Sequence, residues 1–243
     1  MFIDLHAHSS GISRCCQIPA PEVLKEAKEV GLDGIVLTNH YQKYYVENGD
    51  AKAFAHKYAE EFRYAKRCGE ELGMTVIYGM EITMHRHDDI HMLLYGIDDN
   101  FTEAYPTLYD MTQKELYSLA VSHGGILIQA HPFRGRNYPL DPNYLHGYEI
   151  NCHPGYRTSR YDDVSSLALE HGTILTCGGD YHADSYRSCC GAILPDTVTD
   201  SKTLAEYLVS SDTVNLTVHE PADEKKYKVT YTRSNKAITK EEI

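Results

Sequence analysis

A chain of 243 residues, 42% hydrophobic and 24% charged, is long enough to bury a core of its own and reads as globular. None of its apolar runs approaches the roughly 18 residues needed to span a bilayer, and its start lacks the basic-then-apolar pattern of a signal peptide, so a soluble, cytoplasmic protein is expected. Lys and Arg number 23 against 35 Asp and Glu, a net charge of −12, which argues against nucleic acid as a partner but not against a small anionic substrate, because bound metal ions invert the field of a pocket.

The chain alternates apolar runs with helical patterns. FIDLHAH (2–8) opens it as a strand. Pro21 starts a helix, since a missing N–H costs nothing in the first turn, and Gly31 ends it. GIVLTNH (34–40) is the second strand. A long helix over 51–72 puts Phe54, Tyr58, Phe62 and Ala65 on one stripe. TVIYGMEI (75–82) and HMLLYGI (91–97) are the next strands, followed by a helix over 102–123, then GILIQAH (125–131) and YEIN (148–151). A helix over 160–171, the strand ILTCGGD (174–180) and a helix over 201–211 complete a main domain of residues 1–215. In the tail, 216–243, the charged EPADEKK sits between VNLTV and YKVTYT and predicts short strands packed on that domain.

The seven main runs are rich in Ile, Val, Leu and Tyr with little polar alternation, as in strands buried on both faces. With helices between them they predict an α/β fold with a parallel sheet. Polar residues concentrate where the runs end: His6 and His8, His40, Glu81, His91 at the start of its run, His131, then Cys152 and His153, and finally Asp180 and His182. In H-x-H the two imidazoles share one side of a strand, and Asp180 and His182 have the same spacing. In a parallel barrel all C-terminal strand ends meet at one rim. A closed barrel brings the first and last strands together, so that His6 and His8 can share an ion with Asp180; closure is therefore preferred to an open sheet. Divalent ions would reconcile so many imidazoles and carboxylates. The other histidines, His56 and His123 in helices and His85, His87, His146, His171 and His219 elsewhere, read as structural or solvated.

Cysteine adds a second pattern. There are seven, with no CxxC pair, including the doublets Cys15-Cys16 and Cys189-Cys190. An odd count without paired spacing fits a reducing compartment better than a disulfide framework.

The ordered pieces DLHAHSS, LTNH, GMEI, HMLLYGI, AHPF and GGDYH resemble the PHP (polymerase and histidinol phosphatase) domain family over about residues 1–195. The resemblance implies a distorted seven-stranded (β/α)7, TIM-like barrel with the metal site at the C-terminal strand ends. It also implies two or three divalent ions (zinc, manganese or iron) used in phosphoester hydrolysis. Carried over, His6, His8, Glu81 and Asp180 hold one ion; Glu81, bridging, with His91 and His131 holds a second; His40 and His182 hold a third with one more ligand. In the family that ligand is commonly a histidine, and ungapped spacing places it at Arg14. Either Arg14 clamps a substrate phosphate and two ions bind, or Arg14 points away and Cys15 supplies a thiolate; Cys15 and Cys16 also read as ordinary packing residues.

The expected activity is phosphate-ester hydrolysis of a small phosphorylated metabolite by a metal-bridging hydroxide, with Glu81 and Asp180 essential as ligands. Arg14, Arg134 and Arg157 are the candidates for binding the phosphoryl oxygens. Histidinol phosphatase and protein tyrosine phosphatase activities of the PHP type are alternatives, as is a non-catalytic metal-binding accessory domain. Amide or ester hydrolysis on a similar rim fits less well, because no lysine falls at a strand end.

Overall fold

The computed structural model describes residues 1–84, 90–182 and 189–243; His85 and His87 lie outside the described residues. The strands fall into two sheets. The first is built around β1 (Phe2–Ala7), β2 (Gly34–Leu37) and β4 (Thr75–Tyr78), which run parallel. The second runs in the order β3 (His40–Tyr41), β5 (Met80–Thr83), β6 (His91–Tyr95), β7 (Ile126–Gln129), β8 (Gly147–Asn151) and β9 (Ile174–Gly178).

Two of the expected strands are thus each split in two. GIVLTNH becomes β2 and β3, and TVIYGMEI breaks at Gly79 into β4 and β5. Gly79 is packed so tightly that a Cβ would stand 2.8 Å from a Val36 methyl and 2.9 Å from a Thr38 methyl. The backbone still connects the sheets there, through Gly79 N–H to Leu37 O (3.1 Å) and Glu81 N–H to Asn39 O (3.2 Å). At the other seam Asp180 N–H donates to His6 O at 2.8 Å, and Ala7 bridges Tyr181. The single closed seven-stranded cylinder expected from sequence is therefore not formed as one ladder among the described residues. The irregular residues at both seams interrupt it.

A second difference concerns direction. β6 is antiparallel to both β5 and β7. Only seven residues join Thr83 to His91, fewer than the dozen or so that a parallel crossover needs.

Helices α1 (Ala20–Glu29) and α2 (Ala51–Leu72) pack on each other and on the parallel strands. α2 starts where Asp50 accepts Ala53 N–H at 3.0 Å and stops at Gly73, whose φ of 66° is left-handed. Its predicted stripe of Phe54, Tyr58, Phe62 and Ala65 is buried. The helix expected over 102–123 is broken: α3 (Phe101–Ala104) ends before Pro106, and α4 (Gln113–Ser122) restarts from a Thr112–Glu115 capping box. α5 (Tyr161–His171) follows β8, and β10 (Gly191–Ile193) precedes α6 (Ser201–Ser210).

The tail belongs to the first sheet. β11 (Thr213–His219), β12 (Lys226–Thr232) and β13 (Ala237–Glu242) extend it antiparallel through β10 to β1. The boundary expected near 215 falls inside β11. No helix among the described residues is long and apolar enough to cross a membrane.

Candidate metal centre

Eight side chains converge where the strands end. β1 supplies His6 and carries the chain to His8; β3 supplies His40 and β5 supplies Glu81. β7 leads to His131, and β9 leads to Asp180 and His182. His91 stands at the start of its strand yet joins the same rim, because β6 runs the other way. His6, His8, Glu81 and Asp180 are fully buried, and His91 and His182 are half-buried.

Hydrogen bonds on the far side of each ring fix which nitrogen faces inward. His6 Nδ1 donates to Glu149 Oε1 at 2.7 Å, leaving a lone pair on Nε2. Ser13 Oγ donates to Asn39 Oδ1 (2.8 Å), so it must accept the Nδ1–H of His8 at 3.1 Å, again freeing Nε2. These two Nε2 atoms then face each other at 3.1 Å. Asp180 Oδ1 lies 3.1 Å from the Nε2 of His8, and Glu81 Oε2 lies 3.4 Å from both. Four lone-pair atoms point at one space, which is stable only around a cation.

The same logic repeats beside it. His182 Nδ1 donates to Asp180 O at 2.7 Å, and its Nε2 faces His40 Nε2 at 3.4 Å. His40 Nδ1 and Glu81 Oε2 are 2.6 Å apart but not aligned as a hydrogen bond, and both are buried. Glu81 Oε1 lies 2.7 Å from His91 Nδ1 and 3.1 Å from His131 Nε2. Three groups of donor atoms each gather within 4.8 Å: His6, His8, Glu81 and Asp180; His40, Glu81 and His91; and His8, His40 and His182. Glu81 joins the first two groups, and His8 joins the first and third.

Electrostatics point the same way. Burial opposes charge across the site, and at His8 burial and the neighbouring His182 and His40 win, holding it well below its ordinary value. Against burial, the Glu149, Asp180 and Glu81 carboxylates hold His6 well above its ordinary value. Glu81 and Cys15 likewise hold His40 up to about 10. Burial and the Arg134 charge push His131 down to about 3. Glu81 and Asp180 stay ionised despite burial because imidazoles, and for Asp180 also Arg134, surround them.

Several residues that serve the site carried no motif. Glu149 is fully buried in β8; its Oε2 accepts His131 N–H (3.3 Å) and Asn151 Nδ2 (3.1 Å). Asp4 accepts the N–H groups of His6 and Gly179, both at 2.9 Å, and ties the two strand ends together. Asn39 accepts Ser9 N–H at 2.8 Å and supports Ser13. The available signal was a charge inside an otherwise apolar run, as in YEIN and FIDL.

The three candidate arginines separate. Arg134 pairs with Asp180 Oδ2, lies 4.6 Å over the Tyr156 ring, and keeps a buried Nε without a hydrogen-bond partner among the described residues. Arg157 is exposed on the wall of an adjoining cavity of about 300 Å³ that also takes in Arg134 and Arg160. Arg14 turns away: its guanidinium reaches Glu47 at 2.9 Å and the face of Tyr45, more than half exposed. Glu47 and Tyr45 hold the Arg14 side chain outside the rim, in line with the alternative in which Arg14 points away. Its neighbour Cys15 instead faces the cavity with His40 and His182. Partial desolvation raises the thiol of the exposed Cys15, but hydrogen bonds from those two imidazoles outweigh it and bring it down to about 6. His153 also lines this cavity, its ring 5.5 Å from that of His182, and burial pushes it down to about 4. His219, expected at the surface, is buried in β11.

The sequence matches the PHP domain family over residues 4–174. The chain belongs to the PHP domain family. No curated protein sequence matches it. Among solved structures it is similar to PsfC from Pseudomonas syringae PB-5123, at 16% identity and a TM-score of 0.57, over 84% of this chain and 86% of that one. It is also similar to an amidohydrolase from Chromobacterium violaceum with bound sulfate and no metal, at 15% identity and a TM-score of 0.50, over 85% of this PHP chain and 96% of that one. At these identities the likeness concerns the fold. Family and donor set together place the protein among metal-dependent hydrolases.

Proposed function

We propose that the protein is a metal-dependent phosphoesterase acting on a small phosphorylated metabolite. The observation that carries this reading is a cation-rich pocket on an anionic chain. Two cavities of about 300 and 420 Å³ share His131, Arg134 and Tyr156, and Arg136, Arg157 and Arg160 stand on their walls, in a chain of net charge −12. Volumes of that order suit a small ligand, and clustered guanidinium groups suit phosphate oxygens. The amidohydrolase neighbour raises amide hydrolysis as a rival, but no lysine lines these cavities among the described residues.

His6, His8, Glu81 and Asp180 would hold one ion, Glu81 with His91 and His131 a second, and His40, His182 and Cys15 a third. When bound, such ions lower the pKa of water and offset charge on phosphoryl oxygens. The chain's own residues do the rest. Arg134, paired with Asp180 and held over Tyr156, lines the cavities and offers its guanidinium to a substrate oxygen. Glu149, Ser13 and the Asp180 carbonyl engage the outer nitrogens of His6, His8 and His182, so that their inward nitrogens are the ones left to face an ion. Tyr156 and Phe133 give the pocket an apolar wall for the alcohol portion.

The test is hydrolysis of p-nitrophenyl phosphate with Mn²⁺ or Zn²⁺, before and after chelation, beside p-nitrophenyl acetate and an anilide. Turnover of the phosphate alone, lost on chelation and restored by metal, is expected. A metal-replete protein that cleaves only the acetate or anilide, or nothing, overturns the phosphoesterase reading.

A further inference from the structure

Behind the rim lies a cluster that the proposed reaction does not use. Cys152 follows β8, Cys177 is in β9 and Cys190 precedes β10. All three are fully buried, and their sulfurs lie within 4.8 Å of one another. Cys152 Sγ and Cys177 Sγ are 3.5 Å apart. Buried cysteines often pack as small apolar residues. Two further observations exceed that role. The backbone N–H of His219 is aimed at Cys152 Sγ at 3.3 Å, the contact that stabilises a thiolate. The His219 side chain is itself buried, and its Nδ1 has no hydrogen-bond partner among the described residues.

We propose that Cys152, Cys177 and Cys190 bind one thiophilic divalent ion such as Zn²⁺ in a closed, structural site behind the rim. Sulfurs about 2.3 Å from one ion stand roughly 3.8–4.0 Å from each other. The Cys152–Cys177 pair, at 3.5 Å, is within a few tenths of an ångström of that spacing, and Cys190 lies within 4.8 Å of both. Binding replaces three S–H protons, which leave to solvent, with three metal–sulfur bonds; no oxidant is needed. The location gives the ion a task. β8 and β9 belong to one sheet, and β10 and β11 belong to the other. The ion would pin the two sheets together directly behind Asn151 and three residues before Asp180.

Cobalt substitution reads the site without relying on activity. Metal-free Cys15→Ser protein, which has no thiolate at the rim, is titrated with Co²⁺. A thiolate-to-cobalt charge-transfer band whose final intensity matches one cobalt–thiolate centre per chain is expected once the rim is also filled, and the Cys15→Ser/Cys177→Ser protein should lack it. Cadmium NMR of the wild-type protein gives an independent answer if the double variant does not fold: a resonance in the three-sulfur range supports the site. The proposal fails if cadmium gives only nitrogen- and oxygen-ligated resonances, or if the cobalt band survives loss of Cys177. It also fails if the intact mass shows a Cys152–Cys177 disulfide in place of bound metal.

Discussion

Glu149 Oε1 receives the Nδ1–H of His6 at 2.7 Å, and both side chains are fully buried. This contact selects the tautomer whose Nε2 lone pair faces His8 and Asp180. Glu149→Gln keeps the shape but removes the charge, and its amide can donate to His6 and reverse the tautomer. Outer partners of this kind typically contribute about 10–100-fold to metal affinity. A loss in that range, measured by chelator competition with circular dichroism unchanged, is expected. Wild-type affinity in the variant would mean that Glu149 does not orient His6.

The same contact explains a glycine. A Cβ on Gly178 would stand 2.4 Å from His6 Cβ and 2.7 Å from Glu149 Oε1. Gly178→Ala therefore forces apart the two residues that set the tautomer, in a core with no slack. Overpacking of this kind costs about 1–3 kcal/mol. The urea midpoint and the metal affinity should fall together; a variant that lowers neither would show that β9 can move away from β1 freely.

Glu81 presents one oxygen toward His91 and His131 and the other toward His6, His8 and His40. Glu81→Gln should therefore lose more than one ion, whereas Asp180→Asn should chiefly weaken the one beside His6 and His8. Metal content by elemental analysis separates the two, and phosphatase activity should vanish in both. Activity that survived both changes would put the ions elsewhere.

Parts of this arrangement could be read in the sequence because local chemistry and global fold agree there. α2 is legible from an Asp cap, a four-residue apolar stripe and a terminal glycine, all local signals. The rim histidines and acids are legible because strand ends announce themselves by the switch from apolar to polar. What was not legible depends on pairing between distant segments. The direction of β6 is set by its neighbours. β10 is three residues long and β13 is largely exposed, so neither shows a buried period. Arg14 occupies the position of a ligand by spacing, but Glu47 and Tyr45, distant in sequence, decide where it points.

That difference between arginines gives a direct comparison. Arg134 meets Asp180 and Tyr156 at once, which needs a planar guanidinium, so Arg134→Lys is not conservative. Its KM for a phosphate ester should rise and its kcat fall, while Arg14→Ala, on the outer Glu47 contact, should leave both near wild type. Steady-state kinetics on the two variants decide it, and the reverse pattern would return the substrate role to Arg14.

His146 offers a pH test away from the rim. Its Nδ1 accepts Leu127 N–H at 3.0 Å, and burial holds its pKa below the ordinary value. The unfolded chain therefore binds this proton more readily than the folded one. Stability from His146 is complete above the unfolded value of about 6.5 and is lost as pH falls through it, at no more than about 1.4 kcal/mol per pH unit. His146→Asn can still accept Leu127 N–H but does not titrate. Urea midpoints of metal-free protein at about pH 7.5 and about 5.5 isolate the effect, because the other histidines are common to both proteins. The wild-type protein should lose more stability than the variant over that interval. Equal losses would show that His146 keeps its ordinary affinity for a proton in the fold.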